Sequence, residues 1–271
     1  MKRITSLLLA ALLLLTSCFA FASCGGSDYA AISEKGYFIC GITNYEPMNY
    51  FNEDGDLIGF DTEFAQAVAE ELGLEVKFQL INWSSKYTEL NGNVIDCIWN
   101  GFTFGDESDG TPRSNYVDFT YSYLNNRQCI VTRADDIDTL NSKEAFAGKR
   151  GMAEGGSAGE AIAKELAGEG NYTAAAAQAN ALMELDAATV DFVVIDILMA
   201  QSLVGKGNYD DLAINTAVEP EPEVYAIGCR KGSDFTAKIN AAIVKLAEDG
   251  TLAEIAAKYK LENYLIEDIG A

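Results

Sequence analysis

The stretch TEFAQAVAEELGLEVKFQL, residues 62–80, sets the fold class because it changes from helical to strand periodicity at one glycine. Before that glycine, apolar residues recur on one helical face, at Phe64, Val68 and Leu72. Asp61 is the predicted N-cap of this helix, and Gly73 ends it. After the glycine, apolar and polar residues alternate, which predicts a half-buried strand.

The same alternation of strand and helix runs through the chain in two series. The first begins with the strand YFICGI (37–42) and ends with the strand VIDCIWNG (94–101). The second begins near Gly148 and passes through a glycine turn and two helices to the strand DFVVID (191–196). Such alternation predicts an α/β fold with largely parallel sheets, in which ligands bind at the carboxyl ends of the strands. Two series predict two lobes with a cleft between them.

The composition excludes several classes of function. With 41 acidic and 19 basic residues, the chain has a formal net charge of −22, which repels nucleic acids and anionic membrane surfaces. It has no histidine, so the G-x-S-x-G pattern at 155–159 lacks the base that would activate Ser157. Zinc, iron and copper sites lose their commonest ligand as well. We therefore expect no nucleic-acid partner, no serine-hydrolase catalysis, no cofactor and no metal.

The N-terminus is typical of a secretory signal. Lys2 and Arg3 precede an apolar run, ITSLLLAALLLL, that is too short to span a membrane. Two cysteines follow, in LTSC and FASC, and both resemble a bacterial lipobox. Cys24 is favoured for lipidation because GGSD after it is typical of a flexible tether, and Cys18 is the alternative.

These features predict a lipoprotein signal peptide over residues 1–23 and a tether over 24–35. The protein is then expected to lie outside the cytoplasm, anchored to the cell membrane by a lipid. The other cysteines stand in apolar, strand-like runs and form no C-x-x-C pair. We predict buried thiols there, with disulfides left open: Cys40, Cys97, Cys129 and Cys229.

Six stretches, in this order and spacing, carry a resemblance to a known family: GITNYEPMNYFNEDGDLIGFDTEFAQAVAEELG, IDCIWNGFTF, RSNYVDFTYSY, GKRGMAEGGSAGE, VDFVVID, and YAIGCRKGSD leading to LAEDGTLAEIAAKY. Over residues 36–262 the chain resembles the family 3 extracytoplasmic solute-binding proteins, which deliver polar amino acids to ABC importers. The resemblance implies a two-lobed, type II periplasmic-binding-protein-like fold with mixed, mostly parallel sheets joined by a two-strand hinge. Lobe 1 would combine 36–124 with 226–271, and lobe 2 would span 125–225. The chain would cross near 123–127 and return near 223–226.

The resemblance also implies two charged ligand-binding residues. Arg113, five residues before Asp118 in RSNYVDF, would bind the α-carboxylate of an amino acid through its planar fork of donors. The sequence departs from the family pattern upstream of it, where Gly105–Pro112 (GDESDGTP) is about five residues longer than usual. Asp196, at the end of the strand DFVVID, would bind the α-ammonium group, although its position also suits a helix N-cap.

The remaining site residues follow from the same resemblance. A glycine turn that opens a helix would direct backbone amides at the carboxylate, and its members are Gly156, Ser157 and Ala158. Acceptors for the ammonium group would come from Asn100, Gly101 and Thr103. Two aromatic residues, Tyr45 and Trp83, would pack on the ligand. Glu154 would face the ligand side chain and favour a basic or amide group.

The expected function is capture of a polar amino acid and its delivery to the membrane subunits of an ABC importer, by a monomer without catalytic activity. Two alternatives stay open at this point. One is an enzyme of lyase or dehydratase type on the same fold, which would need a catalytic acid in the cleft. The other is the sensory ligand-binding domain of a receptor.

Overall fold

The computed structural model of the chain describes residues 27–270. This part contains fourteen strands and eight α-helices. The strands are β1 (Tyr37–Ile42), β2 (Tyr50–Phe51), β3 (Leu57–Ile58), β4 (Glu75–Leu80), β5 (Cys97–Ile98), β6 (Thr103–Phe104), β7 (Val117–Phe119), β8 (Leu124–Arg133), β9 (Gly151–Glu154), β10 (Tyr172–Ala175), β11 (Phe192–Asp196), β12 (Leu212–Asn215), β13 (Pro222–Tyr225) and β14 (Gly228–Arg230). The helices are α1 (Asp28–Lys35), α2 (Phe60–Leu72), α3 (Lys86–Asn91), α4 (Gly159–Ala167), α5 (Gln178–Asp186), α6 (Ile197–Leu203), α7 (Phe235–Glu248) and α8 (Thr251–Lys258).

Two mixed sheets organise the fold, as expected for a two-lobed α/β protein. The first has the strand order β4-β1-β5-β14-β7, with β1 parallel to β4 and β5, and β14 antiparallel to its neighbours. The second has the order β10-β9-β11-β8-β13-β6, with β12 beside β8. In it β9 is parallel to β10 and β11, whereas β8 runs antiparallel to β11 and β13. We call the parts around these sheets lobe 1 and lobe 2.

The helix and strand predicted over 62–80 are both present. In α2, Phe64 and Val68 are buried, and the helix ends at Gly73 with a left-handed φ of 66°. In β4, Val76 and Phe78 are more buried than their neighbours, but Leu80 is exposed because β4 is an edge strand.

The predicted N-cap of α2 is wrong. Gly59 takes the capping position, and the first two helical amides donate to the carbonyls of Pro47 and Met48 (2.8 and 2.9 Å). No side-chain cap is needed there, so the Asp61 carboxylate turns inward. It accepts hydrogen bonds from the Gly101 amide (2.7 Å) and the Tyr123 hydroxyl (3.0 Å), and its burial raises the pKa of this carboxyl to about 7.

Four connections pass between the sheets, because β6 belongs to the second sheet: β5 to β6, β6 to β7, β7 to β8 and β13 to β14. The chain leaves the first sheet at β7 and enters the second at β8, and it returns from β13 to β14. The strands β8 and β13 pair with each other, with Asn125 opposite Val224 and Arg127 opposite Pro222. The predicted hinge crossings, near 123–127 and 223–226, overlap these strands and stay predictions. The lobe limits of 36–124 with 226–271 and of 125–225 stay predictions.

The structure describes only part of the N-terminal segments predicted from the sequence, and that part is a helix rather than a flexible tether. Of the predicted tether, 24–35, the residues from Asp28 onward form α1, which packs because Ile32 is buried and Asp28 pairs with Arg230 (2.7 Å). The predicted signal peptide, 1–23, and both lipidation candidates, Cys24 and Cys18, lie outside the described residues. Within residues 27–270, no helix has the length and apolar character that crossing a bilayer requires.

The four remaining cysteines are buried free thiols. Cys97 lies opposite Cys40 on one neighbouring strand and Cys229 on the other, and the sulfur atoms of Cys40 and Cys97 are 3.6 Å apart. Cys129 is buried in β8 of lobe 2. Burial raises the pKa of all four thiols, which suits the predicted inert role.

The core of lobe 1 centres on Phe64, whose ring meets Trp99 at 5.2 Å and Tyr123 at 5.3 Å, both edge to face. We expect Phe64→Ala to lower the free energy of unfolding by about 3–5 kcal/mol, because it removes a fully buried ring and leaves a cavity. Urea denaturation followed by tryptophan fluorescence measures this change. Met183→Ala is the control, since Met183 is 58% exposed, and equal effects of the two substitutions would contradict the assignment of Phe64 to the core.

Candidate ligand-binding site

A small cavity lies where strand ends of the two lobes meet. Residues after β5, at the end of β9 and at the end of β11 face it, as expected for a site at carboxyl ends of strands. Its lining consists of Trp83, Asn100, Gly101, Thr103, Arg113, Gln128, Glu154, Ser157, Ala158, Gln178 and Asp196. The cavity therefore brings together all the predicted site residues except Gly156 and Tyr45.

The lobes are closed around this cavity. Its volume is about 10 Å³, roughly the space of one water molecule. Direct contacts hold the two sides together, among them a hydrogen bond from the Ser202 hydroxyl of lobe 2 to the Glu46 carboxylate of lobe 1 (2.7 Å). A solute of amino-acid size can enter only when the walls separate.

Arg113 is fully buried at the start of a short 3-10 turn, Arg113–Asn115. Its two terminal nitrogens donate to the carbonyls of Thr103 (3.2 Å) and Gly156 (3.3 Å). Its Nε lies 3.3 Å from the Glu107 carboxylate, and Glu107 belongs to the long stretch Gly105–Pro112. The extra residues upstream of Arg113 thus supply the counter-charge of this guanidinium.

Asp196 is buried at the end of β11. One carboxylate oxygen accepts hydrogen bonds from the side-chain amides of Asn126 (2.5 Å) and Gln128 (2.7 Å), and the other accepts from Gln178. Asp196 occupies the N-cap position of α6, but its side chain makes no capping bond. Burial raises the pKa of this carboxyl, and within the described residues no cation lies within ion-pairing distance of it.

The glycine turn before α4 differs in part from the prediction. The Gly156 amide donates to the Glu160 carboxylate (2.7 Å), and the Ser157 amide donates to the Glu154 carbonyl (3.1 Å). Two of the three predicted amide donors are therefore bonded inside lobe 2. Gly156 instead presents its carbonyl to lobe 1, while Ser157 and Ala158 line the cavity.

The lobe 1 residues after β5 are held mainly by their own lobe. The Asn100 side chain donates to Asn49 Oδ1 (2.7 Å) and accepts from the Thr43 hydroxyl (2.7 Å). The Gly101 amide donates to Asp61, as described above. Thr103 belongs to β6 at the edge of the second sheet, and its hydroxyl donates to Glu223 of the neighbouring strand β13 (3.1 Å).

The two predicted aromatic residues have different positions. Trp83 lines the cavity and packs edge to face on Phe102 at 5.5 Å, so it belongs both to the cavity wall and to the hydrophobic core. Tyr45 is buried behind the wall, with its hydroxyl 2.7 Å from that of Tyr225. Its ring would lie 2.7 Å from a Cβ at Gly101, which explains why glycine stands there with a φ of 57°. In this closed arrangement Tyr45 is not among the residues that line the cavity.

Sequence reasoning missed the polar side chains that orient Asp196. Asn126 and Gln128 stand two residues apart in β8, so they point to the same face of a buried strand. Two amide side chains at alternate positions of one strand were a usable signal, because such positions share a face. Gln178, the first residue of α5, had no such signal in the sequence, because its contact with Asp196 depends on how that helix packs beside β11.

Lys86 was also missed. Its ammonium group is buried, donates to the Gly156 carbonyl (3.0 Å) and lies 3.3 Å from Glu107. Burial lowers the pKa of Lys86 to about 8, and the nearby Arg113 contributes to this lowering. Arg113 and Lys86 of lobe 1 therefore share one carbonyl of lobe 2 and one carboxylate.

Carboxylates dominate the rest of the site. Burial raises the pKa of Glu154 to about 8 and that of Glu223 to about 7, and the charge of Asp196 adds to both shifts. One oxygen of Glu154 has no hydrogen-bond partner among the described residues. In the same part of the chain, no three or more His, Cys, Asp or Glu residues gather as a metal ion would require.

Comparison with known proteins agrees with this geometry. The L-cystine-binding protein TcyA of Bacillus subtilis is 30% identical over 269 residues, covering 93% of this chain and 96% of that protein. The arginine-binding extracellular protein ArtP of the same organism is 29% identical over 255 residues, covering 92% and 96%. Among solved structures, an ABC uptake transporter substrate-binding protein from Streptococcus pneumoniae with bound histidine aligns with a TM-score of 0.77 at 29% identity, covering 86% and 96%.

Residues 38–262 match the family described as bacterial extracellular solute-binding proteins, family 3. This match spans both sheets and every residue that lines the cavity. The chain therefore belongs to the family 3 bacterial extracellular solute-binding proteins.

Proposed function

We propose that this protein captures a polar amino acid between its lobes outside the cytoplasm and delivers it to the membrane subunits of an ABC importer. The observation that carries the proposal is the pair of opposite charges that line one cavity, Arg113 from lobe 1 and Asp196 from lobe 2. Named relatives that bind arginine and cystine, and a related structure that holds histidine, support the same class of ligand.

Arg113 binds the α-carboxylate in this proposal. A guanidinium offers two parallel N–H donors to a carboxylate, and such a pair is strong where water is excluded. Both terminal nitrogens of Arg113 already point toward acceptors at the cavity, namely the carbonyls of Thr103 and Gly156. When the lobes open, the bond to Gly156 is released, and the α-carboxylate takes that donor as they close again.

Asp196 binds the α-ammonium group. Three side-chain amides hold its carboxylate in place, so little ordering is left for the binding step. Because its partners are neutral, the carboxylate gains a full counter-charge only from the ligand. The ligand thus favours the closed state by contacts that it makes with both lobes at once, and the importer subunits recognise that closed state.

The protein acts by binding rather than by catalysis and works as a monomer. Anchoring through a lipid on Cys24, with Cys18 as the alternative, would keep it at the outer face of the membrane beside the importer.

Ligand screening tests the proposal directly. We expect at least one of the twenty amino acids to raise the melting temperature of the purified protein, because a ligand that binds only the folded state stabilises it by about 2.7 kcal/mol at a hundred times its Kd. Differential scanning fluorimetry measures the shift. If none of the amino acids stabilises the protein, the proposed class of ligand is wrong.

The two charged residues are tested by substitution. We expect Arg113→Ala and Asp196→Ala each to weaken binding by a factor of thirty or more, since truncating one member of a buried charge pair costs about 2–5 kcal/mol. Isothermal titration calorimetry measures Kd, and circular dichroism checks the fold. Arg113→Lys keeps the charge without the planar fork and should bind with intermediate affinity.

Matched controls for these variants come from the same sheet. Arg150 and Asp191 form an ion pair (2.6 Å) just before β9 and β11, at the ends of those strands that lie opposite Glu154 and Asp196. Arg150→Ala and Asp191→Ala should leave Kd unchanged. Normal binding by Arg113→Ala or Asp196→Ala would remove that residue from the proposed site.

The glycine turn provides a test of closure. A Cβ at Gly156 would lie 3.2 Å from the Ser84 Cα and 3.3 Å from Lys86 Nζ, both of lobe 1, so we expect Gly156→Ala to weaken binding several-fold. Its φ of 78° adds about 1–2 kcal/mol of strain, which lowers stability as well. Gly170→Ala is the control, because a Cβ there meets nothing within 4 Å. Unchanged affinity in Gly156→Ala would show that the ligand-bound lobes do not meet at this turn.

A further inference from the structure

Glu154 is the acidic group of the cavity whose contacts are incomplete. It ends β9, is 2% exposed and lines the cavity beside Asp196. Its Oε1 is buried and has no hydrogen-bond partner among the described residues. Leaving a buried carboxylate oxygen without a donor is costly, so this position calls for a donor that arrives with the ligand.

The charges around the cavity do not balance. The cations Arg113 and Lys86 both lie 3.3 Å from Glu107, which is their common counter-charge. Three further carboxylates face the cavity or border it: Glu154, Asp196 and Glu223. Within residues 27–270, none of these three has a cation within 4.0 Å. Closure around a ligand of zero net charge leaves this excess of negative charge in place.

The three carboxylates differ in what else holds them. Asp196 accepts from Asn126, Gln128 and Gln178, as described above. Glu223 accepts hydrogen bonds from Asn126 (2.5 Å), Gln128 (2.8 Å) and Thr103 (3.1 Å). With Asp196 assigned to the α-ammonium group and Glu223 bonded inside the protein, Glu154 is the carboxylate left for the ligand side chain.

We infer that the captured amino acid carries a cationic side chain and that Glu154 binds this cation. The inference rests on the proposed function, because it takes Arg113 and Asp196 as the partners of the two α-groups. The ligand then brings two positive groups and one negative group into the cavity, which offsets part of the excess negative charge there.

The raised pKa of Glu154 fits this role. Burial and the charge of Asp196 favour the protonated form of Glu154, and the charge of Lys86 and the nearby Thr43 hydroxyl only partly oppose them. A cation beside the carboxylate favours the charged form. A neutral amide side chain can donate a hydrogen bond to Glu154, but it does not offset the cost of charging this buried carboxyl.

Pairs of ligands that match in shape and differ in charge test the inference. Arginine and citrulline have side chains of the same length, but only arginine is cationic, and lysine and 2-aminoheptanoic acid form a second such pair. Isothermal titration calorimetry on the unsubstituted protein should give at least tenfold tighter binding for the cationic member of one pair. This comparison needs no variant, so it stands even if substitutions at Glu154 impair folding.

Glu154→Gln then tests the residue itself, because it removes the charge and keeps the shape. We expect this variant to bind the cationic and the neutral member of the pair with affinities within threefold of each other. Glu165→Gln is the matched control, since the Glu165 side chain is 63% exposed, and it should keep the full preference of the unsubstituted protein.

The outcomes separate this inference from the proposed function. Binding confined to neutral amino acids, or equal binding of both members of each pair, overturns the cationic ligand and leaves amino-acid capture intact. A preference for the cation that survives in Glu154→Gln overturns the assignment of Glu154. The absence of binding by any amino acid overturns the proposed function itself.

Discussion

Burial of opposite charges on two facing lobes is the constraint on which the closed structure depends. A charge taken out of water costs several kcal/mol unless it finds partners, so each buried ion must be neutralised or hydrogen-bonded. Arg113 meets this requirement through two carbonyls and Glu107, and Asp196 meets it through three amides. Several polar side chains around the cavity therefore act as hydrogen-bond or ion-pair partners of Arg113 or Asp196.

The long stretch Gly105–Pro112 acquires a physical role in this setting. Without Glu107, the buried cations Arg113 and Lys86 would lie close together with carbonyl oxygens as their main partners. The glutamate allows both to stay charged in one place, although burial and Arg113 still lower the pKa of Lys86. This stretch departs from the family pattern in length. Its Glu107 nevertheless stabilises the charge of Arg113, the residue that the family pattern assigns to the α-carboxylate.

The periodicity of apolar residues predicted the helices and strands well, because it shows within one short stretch of sequence which face of an element is buried. The helix and strand of residues 62–80 were found this way, and so was the position of Asp196 at a strand end. Contacts between distant segments were not predictable. Asp61 points into the core because the carbonyls of Pro47 and Met48 already accept from the first amides of its helix. The Gly156 carbonyl faces lobe 1 because Lys86 and Arg113 donate to it from there. These partners are distant in the sequence, so the residues next to Asp61 and Gly156 do not indicate them.

The strands that join the lobes also carry side chains of the site. Asn126 and Gln128 of β8 hold Asp196, and Glu223 of β13 accepts from the same two amides. Any bend in this pair of strands therefore displaces Gln128, which lines the cavity, and the amides that hold Asp196. Under the proposed function, solute affinity and the angle between the lobes are coupled, because the strands that connect the lobes also position the carboxylate that would bind the ammonium group.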